Sequence, residues 1–334
     1  MIYMNFVTGA TGLLRSHLVK LLLSKGEKVR ALRRSTSSLK MLDEVKDKIE
    51  WVEGDILDIS CLQQAMQDVH TVYHCAAVIS FIPAEADYMI KINVEGTANV
   101  MNAALTAGVK KMIHVSSTAA MGLALPGKVI DEKYSDANIN KAPWYYRSKQ
   151  YGEREAWRAN AEGLDVVVAC PSTILGAGSW GQEPGSLFRD IYKGLRFYTT
   201  ATNGFVDVDD VTACLYFLAK GNFNGEKFII STENICFRDL MWMIADALKV
   251  KRPNIKAGGT LIGLVWRFEA LRYGLGRLFG RNPKRPLVTK ESAAMGSTDF
   301  FYNTDKIKAA SGIKFKPIGE SIQQIAKAYL AGKP

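Results

Sequence analysis

Tyr145 and Lys149 stand four positions apart in Trp144-Tyr145-Tyr146-Arg147-Ser148-Lys149, which opens a helical segment, so phenol and ammonium share one helix face. That pairing can do proton chemistry. A free phenol titrates near pH ~10, and an ammonium beside it favours the phenolate, making the tyrosine a better proton donor and acceptor near neutrality. A bare Y-x-x-x-K pattern is common by chance, and the alternative is a structural pair. A second group comes from the end of the strand-like Lys111 to Ser116, which continues Ser117-Thr118-Ala119-Ala120-Met121-Gly122. Open α/β sheets place ligands at such carboxyl edges, where a hydroxyl of Ser116, Ser117 or Thr118 could orient a substrate oxygen.

A third feature binds anions. Thr8-Gly9-Ala10-Thr11-Gly12-Leu13-Leu14-Arg15 separates the first strand-like run from a helical Ser16 to Ser24. In that order, free backbone N–H groups and the positive end of the helix point at a diphosphate. Gly9 permits the tight turn, and Gly12 lets a cofactor approach the backbone. The second strand ends Ala31-Leu32-Arg33-Arg34-Ser35-Thr36. An acid there would take the adenosine ribose hydroxyls and select NAD, whereas arginine accommodates the 2′-phosphate of NADP. Arg34 is the favoured phosphate ligand, assisted by Arg33 and Ser35. NADP(H) is therefore expected ahead of NAD; the alternative is a surface arginine pair.

These groups need a scaffold that brings strand ends to one edge. β-Branched runs at Tyr3 to Thr8, Lys28 to Arg33, Ile49 to Glu53, Thr71 to His74, Lys111 to Ser116 and Asp165 to Cys170 alternate with amphipathic segments, the rhythm of a parallel sheet covered by helices. Gly26, Gly108 and Gly163 each follow a helix-like stretch and precede a strand, where left-handed C-caps belong. The expected fold class is α/β, a doubly wound parallel sheet of the Rossmann type with a smaller C-terminal lobe. Residues 1–172 would form the dinucleotide-binding part, rejoined by about 205–231. Residues 173–204 and 232–334 would form the substrate lobe, beginning with the Gly-rich 176–185.

On these motifs the chain resembles the extended short-chain dehydrogenase/reductase family, whose opening reads T-G-A-T-G-x-x-G. Arg15 replaces the third glycine, and a long cation there must swing to solvent or reach toward the phosphates. The resemblance picks Ser117 as the catalytic serine. It implies that Asp55, in Gly54-Asp55-Ile56, meets the adenine and that Ala76 and Ala77 line the cofactor groove. It also implies that Asn93 supports the lysine through water and that Pro171-Ser172-Thr173 packs on the nicotinamide, with Lys149 holding the nicotinamide ribose. Alternatives stay open: Asp55 as a turn residue, and Asn93 as a residue that kinks or caps its helix. Phe205-Val206-Asp207-Val208-Asp209-Asp210-Val211 resembles a further family motif, whose acids suit helix capping. Within the family the pattern, including Pro286-Leu287-Val288-Thr289 and Asp305-Lys306, is most similar to the dihydroflavonol reductase and 3β-hydroxysteroid dehydrogenase branch.

The composition is that of an ordinary globular chain: 334 residues, 48% apolar and 23% charged. Five scattered cysteines without a C-x-x-C pair favour reduced thiols over a disulfide frame or zinc site, and no secretory signal precedes the first strand-like run, so a cytoplasmic location is expected. His17, His70, His74 and His114 show no metal-ligand spacing. The net charge of +10 comes without a nucleic-acid motif, so no nucleic-acid partner is expected. Between 260 and 280, Leu261, Leu264, Phe268, Leu271, Leu275 and Leu278 alternate with Arg267, Arg272 and Arg277. A helix capping the substrate pocket is favoured there over one lying on a membrane surface. A homodimer is left open.

Together these features point to reversible hydride transfer between NADP(H) and a carbonyl or secondary alcohol of a moderately hydrophobic small molecule. A nucleotide-sugar epimerase or dehydratase with retained NAD is the first rival. A non-catalytic NADP-binding regulator is the second.

Overall fold

Runs such as Asn5-Phe6-Val7 and Val166-Val167-Val168-Ala169 are buried on both faces, which suits central parallel strands with helices above and below. In the computed structural model, which describes residues 3–125, 127–136, 138–178, 180, 185–279, 285–286 and 288–332, seven strands form one sheet. They are β1 (Met4–Thr8), β2 (Lys28–Arg33), β3 (Glu50–Glu53), β4 (Val69–His74), β5 (Lys111–Val115), β6 (Val166–Pro171) and β7 (Glu226–Ile230), in the order β7-β6-β5-β4-β1-β2-β3. Every pairing is parallel. Each strand expected in the first half is present, its ends shifted by two residues at most. Gly26, Gly108 and Gly163 adopt φ of 75°, 67° and 104°, as left-handed caps require.

Strand alternation divides the core. Phe6, Val72, Met112 and Val168 face one cluster, and Val7, Tyr73, Ile113 and Val167 face the other. The helices α1 (Leu13–Ser24), α2 (Gly96–Thr106), α3 (Trp144–Ala161) and α4 (Val208–Lys220) cover these faces: Val100, Met101, Tyr145 and Ala156 join the first cluster, and Leu18, Leu22, Val211 and Leu215 join the second. Asp207 caps α4 through Asp209 N, at 2.9 Å, the capping role its place before the helix implies. A third cluster, including Leu175, Phe188, Phe205, Leu240, Ile244, Ile322 and Tyr329, joins a three-stranded sheet (Thr173–Leu175, Thr202–Asp207, Glu233–Cys236) to helices Phe237–Ala247 and Ile318–Ala331.

One irregularity brings the segment before α2 against α3. Lys91–Glu95 forms a π-turn just before α2 and presses the Asn93 carbonyl against α3. A Cβ on Gly152 would stand 2.3 Å from that oxygen, so only glycine lets the two segments approach this closely.

All five cysteines are free thiols; Cys75, Cys170 and Cys214 are buried, while Cys61 and Cys236 are half-buried. The helix Gly259–Leu278 does not turn its apolar stripe inward, as a pocket-capping helix would: Leu264, Phe268, Leu271, Leu275 and Leu278 are all exposed. Its opposite side, with Ile262, Trp266 and Tyr273 half-buried, supplies the contact face instead. Leu287, Gly280 and residues 179 and 181–184, which fall in segments singled out from the sequence, lie outside the described residues.

Candidate functional site

The chain leaves β1 toward β2 and β3, then returns to β4 on the other side of β1, so a crevice opens at the carboxyl ends of β1 and β4. Thr8 ends β1 opposite His74 of β4. Its hydroxyl accepts from the N–H groups of Cys75 and Ala76, each at 3.1 Å, and donates to His74 Nδ1 at 2.9 Å. His74 Nε2 lies 2.9 Å from Thr97 Oγ1, whose own proton goes to the Asn93 carbonyl at 2.8 Å. That arrangement assigns the ring proton to Nε2. Burial, reinforced by the nearby cations Lys149 and Arg15, pushes the His74 pKa down to about 3, so the imidazole is a neutral link.

Gly9, at φ 68°, carries β1 into the turn, and Gly12 sits at the N-cap of α1. A Cβ on Gly9 would stand 3.2 Å from Ala76, so the turn backs directly onto the segment after β4. Arg15 does not swing to solvent. Its Nη1 donates to the Gly9 carbonyl at 2.9 Å, and its guanidinium atoms lie 2.7 Å and 3.0 Å from where Cβ atoms on Gly9 and Gly12 would stand. The cation thus lies across the concave face that would cradle a diphosphate. Burial lowers its pKa, a shift that Cys75 opposes and Arg34 reinforces.

The arginine pair at the end of β2 separates. Arg33 is held by Glu53 at 3.4 Å and by the Trp51 ring, 5.8 Å away. Arg34 is exposed, with its Nη1 3.5 Å from the Tyr88 hydroxyl. Several other expected cofactor residues have structural work. Asp55 Oδ1 accepts from Leu57 N at 3.0 Å, as a turn residue would. Ile56 is buried against Gly96, Leu14 packs on the second core cluster, and Leu13 lies 3.2 Å from where a Cβ on Gly176 would stand. Thr11, Ala76 and Ala77 are half-buried at the crevice, Pro171 ends β6, and Thr173 Oγ1 accepts from Asn203 at 3.1 Å.

At the end of β5, Ser117 caps the short 3-10 turn Thr118–Met121, its Oγ accepting from Ala119 N at 3.2 Å. The same hydroxyl hydrogen-bonds the Tyr145 phenol. Burial raises the Tyr145 pKa and the Ser117 bond lowers it, the rise prevailing, so the phenol stays protonated near neutrality. The sequence expectation that Lys149 itself favours the phenolate is not met in this geometry. Lys149 Nζ donates to the Val115 carbonyl at 3.0 Å, because that carbonyl at the sheet edge offers a buried ammonium an acceptor. Its pKa falls to about 8, chiefly through burial; the cation of Arg15 adds to the fall, and Cys170, Glu153 and Cys75 work against it. Tyr145 packs edge-on to Phe81 at 5.7 Å, while Tyr146 turns toward Phe300.

Asn93 makes three bonds and none to Lys149: it accepts from Val78 N and donates to Val78 O, both at 2.8 Å, and donates to Ser148 Oγ at 2.9 Å. It ties the crevice wall to the turn of α3 that carries Lys149. Thr8, Thr97 and Ser148 escaped sequence reasoning. The available signals were Thr8 opposite His74 at paired strand ends, and Ser148 beside Lys149 in the helix.

The chain belongs to the NAD dependent epimerase/dehydratase family, whose model matches residues 5–231. It is thus an oxidoreductase of the extended short-chain dehydrogenase/reductase type, a family that uses nicotinamide cofactors. A Synechocystis sp. protein with the provisional name dihydroflavonol 4-reductase is 29% identical over 95% of this chain and 92% of its own length. Tetraketide alpha-pyrone reductase 2 of Arabidopsis thaliana is 31% identical over 74% and 82%. Among solved structures, gox2253 superposes with a TM-score of 0.83 at 30% identity, covering 99% of this chain and 98% of that one.

Arg15 fills space that the glycine turn would offer a cofactor diphosphate, so Arg15→Gly should tighten NADPH binding, the steric gain outweighing the lost cation. Fluorescence titration of both forms at two ionic strengths checks this. Weaker binding with a flatter salt dependence would make Arg15 a phosphate ligand instead.

Proposed function

We propose that the protein transfers hydride reversibly between NADP(H) and a carbonyl or secondary alcohol of a moderately hydrophobic small molecule. The observation that carries this reading is the juxtaposition, at the carboxyl edge of β5, of a protonated phenol hydrogen-bonded to Ser117 and a buried ammonium one helical turn further on. The glycine turn, the crevice beside Ala76 and the exposed Arg34 fit a dinucleotide carrying a 2′-phosphate. The bound nicotinamide supplies or accepts the hydride. Ser117 holds the substrate oxygen. In reduction, Tyr145 gives its phenolic proton to that oxygen as the carbonyl carbon becomes an alcohol carbon; in oxidation the phenolate takes it back. Lys149 holds the nicotinamide ribose, and Asn93 is a positioning residue. The relatives named as reductases of dihydroflavonol and tetraketide alpha-pyrone support an apolar ketone as the substrate class, received by segments 173–204 and 232–334.

Two outcomes follow. A charged pair with phosphate contributes about 1.5–3 kcal/mol, so Arg34→Ala should weaken NADPH binding about tenfold or more and leave NADH unchanged. Equal losses for both would remove Arg34 from the phosphate role. Tyr145→Phe keeps the ring and loses the proton; with NADPH and a panel of flavonoid-like and steroid-like ketones it should fold, bind cofactor and turn over about 10²- to 10⁴-fold more slowly. Near-normal turnover would reject the mechanism.

A further inference from the structure

Basic residues occur throughout the chain, but the net excess does not. Residues 250–290 hold ten Lys and Arg against the single acid Glu269, nine of the ten net positive charges; the other 293 residues balance to within one charge. The middle of this segment is the helix Gly259–Leu278. Leu264, Phe268, Leu271, Leu275 and Leu278 follow a 4-3-4-3 spacing, which sets them on one helix face. That face is bare: Leu264 is 63% exposed, Phe268 65%, Leu271 61% and Leu278 78%, and Phe279 extends it. Arg267, exposed, and Arg272, ion-paired with Glu269 at 2.8 Å, flank the stripe on its two sides, while Arg277 falls on the side of Trp266 and Tyr273.

We propose that this helix is an in-plane docking element for an anionic lipid surface. An apolar stripe bordered by cations lowers its free energy by sinking into the acyl–headgroup boundary while the guanidiniums meet lipid phosphates. A second copy of the chain fits less well, because pairing the stripes would bring two segments of net charge +9 together. Among the described residues no helix is long and apolar enough to cross a membrane, so the element lies on the bilayer. The docked segment is also tied to the site. Beyond the helix, Arg285 pairs with Glu85 at 2.8 Å, four residues from Phe81 on the Tyr145 ring, and Glu291 accepts from the backbone of Trp144, where α3 begins. Docking therefore sets the crevice close to the lipid surface. The proposal concerns binding alone and does not need the assigned reaction.

The test is flotation of the full-length protein with phosphatidylcholine–phosphatidylglycerol vesicles and with pure phosphatidylcholine vesicles, at low and high salt. The expected result is binding to the anionic vesicles only, weakened by salt. Phe268→Ser/Leu271→Ser/Leu275→Ser should reduce it at least tenfold, and so should the charge reversal Arg267→Glu, since each unit of charge near such a surface contributes about fivefold in partitioning. Both variants should keep the wild-type circular dichroism and melting temperature, because the altered side chains project away from the body. Equal binding to neutral vesicles, no vesicle binding at low salt, or a dimer in solution that the serine variant dissolves would overturn the proposal.

Discussion

A buried ammonium at the edge of a parallel sheet is the constraint on which the site depends. Lys149 reaches the Val115 carbonyl, one hydrogen bond for a group that could make three, in surroundings that push its pKa down to about 8. Such a cation is costly to bury unless a ligand completes its shell. Its position answers that need: the β5 edge faces the crevice where hydroxyls and phosphates of a dinucleotide would arrive. Ser117 and Tyr145 pair at the same edge, so the proton donor and the cation are held by separate anchors and keep their spacing.

What fixes those anchors is a chain of neutral contacts running from sheet to helix. Thr8, His74, Thr97 and the Asn93 carbonyl form an unbroken hydrogen-bonded path across the crevice floor, and the last member rests on Gly152 of α3. Because His74 is held neutral, the path adds no charge beside Lys149. The Asn93 side chain meanwhile grips Val78 and Ser148. The π-turn is the irregularity that lets one residue rest its carbonyl on Gly152 and reach Ser148 of the same helix with its side-chain amide.

The scaffold was legible because its signals are local. Strands buried on both faces read as unbroken apolar runs, and glycines after helices announce their caps. Tyr145 and Lys149 were legible for a related reason, since helix spacing alone puts them on one face; the strand exit offered Ser116, Ser117 or Thr118, and only the family resemblance picked Ser117. What escaped depends on rotamers and on distant partners. Nothing near Arg15 in the sequence says that its guanidinium folds back over Gly9, and Arg33 and Arg34 differ only through Glu53 and Trp51 on the next strand. The helix Gly259–Leu278 has apolar residues on two sides, and the pattern could not say that Trp266 and Tyr273, rather than the leucines, would meet the body.

The central claim is that Lys149 is a buried cation of depressed basicity that the cofactor relieves. Titrating its Cε resonance in lysine-labelled protein, with Lys149→Met for assignment, measures this directly. The account predicts a midpoint near 8 without cofactor and a rise when NADPH is bound, as hydroxyls and phosphates replace the missing partners. A midpoint at the ordinary lysine value of about 10.4 in both states would contradict it.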